Sequence, residues 1–184
     1  MGYSASETAK KHERILDESI RLFRERGFSG VSVSELMGAA GLTHGPFYSH
    51  FASKESLMSE ALTREMERAT GGIDKLPPTQ QGKARFVADY LSEEHRNDSS
   101  GGCPIAALAS EVRQEQHLQT GFTDKLNAFI QKFATRLPWR SRRSARGDAI
   151  HTFASMVGAL ILARAVNDDD FAREILTETR KRIL

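Results

Sequence analysis

The sequence is poor in cysteine, in proline and in excess charge of either sign. Its single cysteine, Cys103, excludes a disulfide within the chain and a cysteine-rich zinc site. Only five prolines occur in 184 residues, which leaves long stretches free to form helices. Lys and Arg number 26 against 24 Asp and Glu, so the overall charge does not indicate a nucleic-acid partner.

Long apolar runs and catalytic motifs are also missing. The longest apolar run, residues 156–165, contains Gly158 and Arg164 and is better interpreted as a buried helix than as a membrane span. The N-terminus has no signal-peptide pattern, so we expect a cytoplasmic protein with no membrane partner. No metal-ligand spacing, glycine-rich phosphate loop or motif placing a base beside Cys103 occurs. We therefore expect no enzyme activity, no metal and no cofactor.

Helical periodicity runs through the whole sequence, and no segment has a convincing strand pattern. Apolar residues recur at three- and four-residue spacing, and turn-forming residues separate the stretches. This pattern predicts an all-α fold of about nine helices. The predicted helices cover residues 6–26, 32–41, 44–50, 53–70, 80–97, 104–116, 121–137, 144–166 and 168–183.

The ends of the first two helices carry clear signals. Gly27 suits the left-handed position after the first helix, where Phe28 can fold back onto Phe23. Ser32 is the expected cap of the second helix, and Glu35, three residues later, completes a capping box. Both helices should therefore begin and end sharply.

The third helix is short and follows a Gly-Leu-Thr turn. Gly41 permits the reversal, and Leu42 should be buried. We expect Thr43 to cap Gly45, with Pro46 in the first helical turn, where backbone N–H groups lack partners. A short capped helix braced by its neighbour is typical of a helix-turn-helix, whose second helix enters the DNA major groove.

Residues 33–57 resemble the signature of the TetR family of bacterial transcriptional regulators. The matching parts are an Ala-Ala-Gly-Leu-Thr turn, a Phe-Tyr-x-His-Phe recognition helix and a Ser-Lys-Glu-x-Leu helix start. The end of the first helix, Phe-Arg-Glu-Arg-Gly-Phe, matches as well, so the resemblance covers residues 10–62. It implies a three-helix DNA-binding domain at residues 1–52 and a helical ligand-binding and dimerisation domain at residues 53–184, connected by the helix at 53–70.

The resemblance also implies which residues meet DNA. Residues at the start of the recognition helix would face base edges, and others nearby would contact phosphates. The first group is Thr43, His44, Gly45 and Pro46, and the second is Tyr48, Ser49, His50, Lys54, Ser32 and Ser34. Many family members have lysine where this chain has His44, and a neutral histidine can donate one hydrogen bond and accept another. The base preference is therefore left open.

The penultimate helix, residues 144–166, is apolar around much of its circumference, which predicts burial on two sides. By resemblance, the last two helices pair with those of a second subunit in a four-helix bundle. The expected interface residues are Phe153, Val157, Leu160, Ile161, Phe171 and Ile175. The alternative is an ordinary core within one chain.

The C-terminal domain is the expected site of ligand binding, although its aromatic residues are also typical of a core. The candidate residues are Met66, Phe86, Tyr90, Cys103, Phe122 and Phe129. Pro104 suits a first helical position, which makes Cys103 the cap. The Gly-Cys segment at the start of the sixth predicted helix resembles that of a TetR subgroup with regulators that sense electrophiles or oxidants. Cys103 is either such a sensor or a small residue lining the pocket.

These observations predict a homodimeric repressor that binds a palindromic operator and is released by a small-molecule inducer. The helix at 53–70 joins the two domains and is the expected lever between them. One alternative is a repressor that senses oxidants or electrophiles through Cys103. A second is an architectural DNA-binding protein, which would usually carry strong positive charge.

Overall fold

The computed structural model describes residues 5–184, and all their regular elements are helices, as predicted. The first four residues of the predicted N-terminal domain lie outside the described residues. Within the described range, no helix combines the length and apolar character that crossing a membrane requires. The helices are α1 Ala5–Arg26, α2 Val33–Ala39, α3 Phe47–His50, α4 Lys54–Asp74, α5 Gln80–Tyr90, α6 Glu93–Asn97, α7 Pro104–Val112, α8 Gln116–Arg136, α9 Ala145–Ala165 and α10 Asp169–Ile183.

The segment predicted as one helix at 80–97 is two helices, α5 and α6. Leu91 leaves the helical conformation, and the Ser92 hydroxyl accepts a hydrogen bond from the backbone N–H of His95 at 3.1 Å. Ser92 thus caps a new helix, because serine hydroxyls satisfy the free N–H groups of a first turn.

Helix α4 continues through Gly71 and Gly72, where the sequence predicted its end. The extra turn is held by packing: Ile73 is buried, and the Asp74 carboxylate accepts from Lys132 of α8 at 2.8 Å. Tertiary contacts of this kind override the weak helix propensity of glycine.

Helices α7 and α8 also differ from prediction, since α7 ends at Val112 and α8 already begins at Gln116.

Helices α4 and α8 form the most extensive helix pair among the described residues. Glu67 pairs with Lys125, and Asp74, seven residues further along α4, pairs with Lys132, seven residues further along α8. The two helices therefore run parallel, away from the N-terminal helices. One hydrophobic cluster extends from α1 to α9 and crosses the predicted domain boundary after residue 52. Helices α9 and α10 pack together over a second, smaller cluster.

Candidate DNA-binding surface and ligand cavity

The start of α2 has the predicted capping box. The backbone N–H of Glu35 donates to Ser32 Oγ at 3.3 Å, and the Glu35 carboxylate accepts from the backbone N–H of Ser32 at 2.8 Å. The hydrogen bond from the Ser32 backbone lowers the pKa of the Glu35 carboxyl. The predicted stop of α1 is also confirmed, since Gly27 has φ 75° and the Phe23 and Phe28 rings lie 5.2 Å apart.

The predicted Thr43 cap is wrong. Helix α3 begins only at Phe47, and Pro46 occupies the cap position with no side-chain hydrogen bond. A proline disfavours the helical conformation of the residue before it, so Gly45 cannot open the helix. The Gly41 reversal is present, with φ 65°.

Two phenylalanines fix the orientation of α3. Phe47 and Phe51 are buried, and the Phe47 ring meets Tyr48 edge to face at 5.2 Å. Tyr48 itself is 67% exposed. Each of the ten predicted DNA-contact residues is exposed or half-exposed, so all of them can be reached from solvent. Their contact with DNA stays a prediction.

Lys54 has a partner within the chain. Its Nζ donates to the carbonyl oxygen of Phe28 at 2.6 Å, which ties the start of α4 to the turn after α1. Ser53 and Ser56 cap that helix start reciprocally. A phosphate bound by Lys54 would therefore lie next to the turn between α1 and α2.

His50 lies beside a second histidine. The His12 ring stacks on Phe51 at 4.5 Å, bonds to Glu60 at 2.7 Å and lies 5.9 Å from the His50 ring. Burial lowers the pKa of His50, and the neighbouring His12 and Lys11 lower it further. Free His50 is therefore mostly neutral at neutral pH, and a nearby phosphate would favour its protonated form.

Four of the six predicted ligand residues line one cavity of about 250 Å³. They are Phe86, Tyr90, Cys103 and Phe129. Met66 and Phe122 instead line a neighbouring cleft of only about 10 Å³, and Met66 is fully buried in the core. The structure thus brings residues of α5, α7 and α8 together around a space large enough for a small molecule.

Charged residues that the sequence interpretation missed line the same cavity. Arg24 of α1 pairs with Glu65 of α4, and their side chains are only 8% and 5% exposed. Arg68 also donates to Glu65, at 2.9 Å. One sequence signal existed, because Glu65 falls at a core position in the apolar stripe of α4 between Leu62 and Met66.

Cys103 caps α7, with Pro104 at the first helical position, as predicted. Its backbone N–H donates to His95 Nε2 at 3.1 Å, and His95 Nδ1 donates to the carbonyl of Tyr90 at 2.7 Å. Because Nε2 accepts while Nδ1 donates, His95 is neutral, and burial lowers its pKa. Both ring nitrogens are used, so His95 has no free nitrogen to take a proton from the Cys103 thiol.

Residues 15–61 match the family model of bacterial regulatory proteins, tetR family. The N-terminal domain belongs to the TetR family. AcrR of Shigella flexneri, an HTH-type transcriptional regulator, is 37% identical over 86 residues, which are 47% of this chain and 37% of AcrR. The transcriptional repressor NemR of Escherichia coli K12 is 30% identical over 105 residues, 54% of this chain and 53% of NemR. The matched segments thus span about half or less of these relatives.

The similarity to TetR-family structures extends through the C-terminal helices of the described residues. The crystal structure of E. coli NemR in its reduced form covers 95% of both chains with a TM-score of 0.76, at 21% identity. This similarity concerns the fold, including the six helices α5 to α10 that lie beyond the residues matched by the family model. The sequence match is to a family of regulatory proteins and not of enzymes.

A second, larger groove of about 710 Å³ lies between α8 and α9 and is mostly apolar. Ile150 and Ile161 line it, and the exposed Leu162 and Phe171 lie nearby in sequence on α9 and α10. Two predicted interface residues, Phe153 and Leu160, are instead buried within the subunit, because the opposite face of α9 packs on its neighbours. Val157 and Ile175 are half-buried.

Helix α7 links the cavity directly to the TetR-family domain. Cys103 lies at its start, and near its end the Glu111 carboxylate accepts from the backbone N–H of Phe28 at 2.6 Å. A Cβ atom at Gly27 would lie 2.2 Å from Glu111 Oε1, so the close contact requires glycine there. Helix α4 is therefore not the only connection between the two parts.

Proposed function

We propose that this chain is a homodimeric TetR-type repressor that binds a palindromic operator and is released when a small molecule enters the Cys103 cavity. The observation that carries the proposal is the exposed polar surface of α3, which Phe47 and Phe51 anchor within a TetR-family domain. As a regulator of transcription the protein would act in the cytoplasm. Residues 1–68 hold 9 Lys and Arg against 10 Asp and Glu, so specific contacts rather than bulk attraction would supply DNA affinity.

Selection from a random duplex library tests operator binding. The full chain should enrich a palindrome whose half-sites lie about 34–36 Å apart, roughly one DNA turn. Selection with His44→Lys should change the preferred bases in each half-site, and Tyr90→Phe, in the cavity, should not. Enrichment of no common sequence would contradict the proposal, and an unchanged His44→Lys preference would show that His44 does not read bases.

Dimerisation is proposed through α9 and α10. Ile161, Leu162 and Phe171 are between 44% and 57% exposed, and large apolar side chains of this kind on adjacent helices favour a subunit contact. Leu162→Glu should convert a dimer to a monomer in light scattering, because a charge would be buried in the contact. Thr120→Glu, on an exposed position of α8, is the control and should leave the dimer intact. A monomeric wild-type chain would reject this part of the proposal.

A second candidate function is regulation through Cys103 itself. The half-buried thiol lines the cavity at one end of α7, whose other end holds Phe28, so an adduct could displace the helix that contacts the DNA-binding domain. Alkylation with iodoacetamide should then weaken operator binding in the wild-type chain and leave Cys103→Ser unaffected. Full alkylation with unchanged operator affinity would eliminate the sensor role and leave Cys103 as a lining residue.

A further inference from the structure

Two buried polar groups of the Cys103 cavity have no hydrogen-bond partner among the described residues. They are the Tyr90 hydroxyl and Nε of Arg24, and both residues line the cavity. The Arg24 side chain is more than nine-tenths buried, and its other nitrogens bond to Glu65 and to the carbonyl of Ser100. The Cys103 thiol, a weak acceptor, is the neighbour of the Tyr90 hydroxyl. Buried donors normally have a strong partner, so these two donors at one cavity point to an acceptor supplied by a ligand.

The charges around the cavity favour a negatively charged acceptor. Arg24 and Arg68 both bind Glu65, and the outer Arg68 also lies 4.0 Å from Asp17, so within the lining itself two positive charges share one carboxylate. Arg68 is 61% exposed, so its charge is partly screened by solvent, while Arg24 is not. His95, the imidazole in the lining, is neutral with both nitrogens bonded. An anion would therefore neutralise the excess positive charge.

The remaining walls are aromatic and apolar. Phe86, Phe129 and Phe153 line the cavity, and the rings of Phe129 and Phe153 lie 4.6 Å apart. Such walls favour a planar ring packed against them. The volume of about 250 Å³ lies below the roughly 300–1,000 Å³ of sites for drug-sized ligands, which limits the ligand to one or two rings.

We propose that the cavity binds a small aromatic carboxylate, whose oxygens accept hydrogen bonds from the Tyr90 hydroxyl and the Arg24 guanidinium. The inference rests on the proposed function for its consequence, because the inducer would belong to this class. A bound carboxylate competes with Glu65 for Arg24 and weakens the ion pair between α1 and α4. This contact joins the DNA-binding domain to the helix that leads away from it.

Calorimetry with two probes of equal shape tests the ligand class. Naphthalene-2-carboxylate should bind the full chain at least about tenfold more tightly than naphthalene-2-carboxamide, because only the acid carries the charge. Tyr90→Phe should weaken binding of the acid by about tenfold, since it removes one donor to a charged group. Tyr48→Phe, the matched change at an exposed tyrosine, should leave binding unchanged. Equal affinity for the two probes, or no binding of the acid at millimolar concentration, would overturn the proposal.

The role of Arg24 needs a variant that does not strand a buried charge. The pair Arg24→Met and Glu65→Leu replaces both ions by apolar groups, which proteins often tolerate, and should abolish the preference for the acid. An intact preference in this folded double variant would rule out Arg24 as the anion ligand.

Operator affinity measured with the acid present separates the two proposals. If the acid binds as expected but the operator is retained, the ligand site stands and induction by this class fails.

Discussion

The DNA-binding helices and the ligand cavity differ in the sequence separation of the polar contacts that stabilise each of them. At the starts of α2 and α4 the capping pairs Ser32–Glu35 and Ser53–Ser56 each span three residues. Around the cavity, Arg24 pairs with Glu65 across 41 positions, and Arg164 bonds to the carbonyl of His95 across 69. The helix starts of the N-terminal part are thus set locally, and its longer polar contacts, Lys54 to Phe28 and His12 to Glu60, span 26 and 48 positions. The cavity lining instead joins residues from Arg24 to Phe153.

Several polar contacts connect these regions, and two of them involve a buried or half-buried carboxylate. The Arg24–Glu65 pair joins α1 to α4, and the bond from Phe28 to Glu111 joins the turn after α1 to α7. Glu111 does not line the cavity, so substituting it can separate the regions without altering the cavity, whereas Glu65 is part of the lining.

The largest effect is expected from breaking the buried ion pair. Glu65→Leu leaves the buried Arg24 guanidinium without its main partner, and such changes cost about 3–5 kcal/mol. Replacing both residues, Arg24→Met with Glu65→Leu, should cost much less. Urea denaturation measures both variants. A single variant as stable as the wild type would mean that the pair contributes nothing to the connection.

A smaller loss is expected at the second connection. Glu111→Ala removes the acceptor for the backbone N–H of Phe28 and should lower the free energy of unfolding by about 1.5–3 kcal/mol, the usual worth of a hydrogen bond to a charged group. Glu111→Gln keeps an acceptor oxygen and should recover part of the loss. The matched control is Glu115→Ala, at the half-buried residue that precedes α8. A Glu111→Ala variant that is no less stable than Glu115→Ala would contradict the expected loss.

A DNA-specific effect is expected at α3. Tyr48→Phe removes a proposed hydrogen bond to phosphate and should weaken operator binding by about 1.5 kcal/mol, roughly tenfold, without changing stability. Tyr90→Phe, in the cavity, should weaken binding of the aromatic carboxylate and leave operator affinity unchanged. Fluorescence anisotropy with a labelled operator measures both. Equal operator affinity for wild type and Tyr48→Phe would remove Tyr48 from the phosphate contacts.

The smallest expected effect is a pH dependence of DNA binding through His50. Its pKa is lowered in the free protein, and a DNA phosphate would raise it, so binding takes up a proton. Operator affinity should therefore increase several-fold as the pH falls below the ordinary histidine value, at constant salt. His50→Gln should show a weaker pH dependence than the wild type, with His12 and His44 as the remaining nearby histidines. Identical pH profiles for the two proteins would exclude His50.

The range of the contacts also explains what sequence patterns could predict. Gly27, the Ser32–Glu35 box and the Cys103 cap were predictable because each depends on residues within a few positions. The end of α4 was not, because α8 stabilises the turn beyond Gly71 and Gly72. The TetR-family motif predicted the DNA-binding helices for the same local reason.

The cavity could be predicted only in part. Aromatic residues at helical spacing indicated Phe86, Tyr90 and Phe129, but the same spacing also gave Phe122. Met66 was predicted from its place far along the helix at 53–70, and both residues lie elsewhere. Nothing near Arg24 in the sequence indicates that it meets Glu65. Phe153 was assigned to the interface because a helix apolar all round does not reveal which side faces its own subunit.

The central claim is that α3 reads a specific DNA sequence, and a salt titration of operator binding tests it most directly. Wild-type chain is titrated onto the selected palindrome and onto a scrambled duplex of equal composition, at several salt concentrations. The account predicts binding to the palindrome at least about 10³-fold tighter than to the scrambled duplex near physiological salt. Equal affinity for the two duplexes, with the same steep salt dependence, would contradict it and indicate an architectural DNA-binding protein.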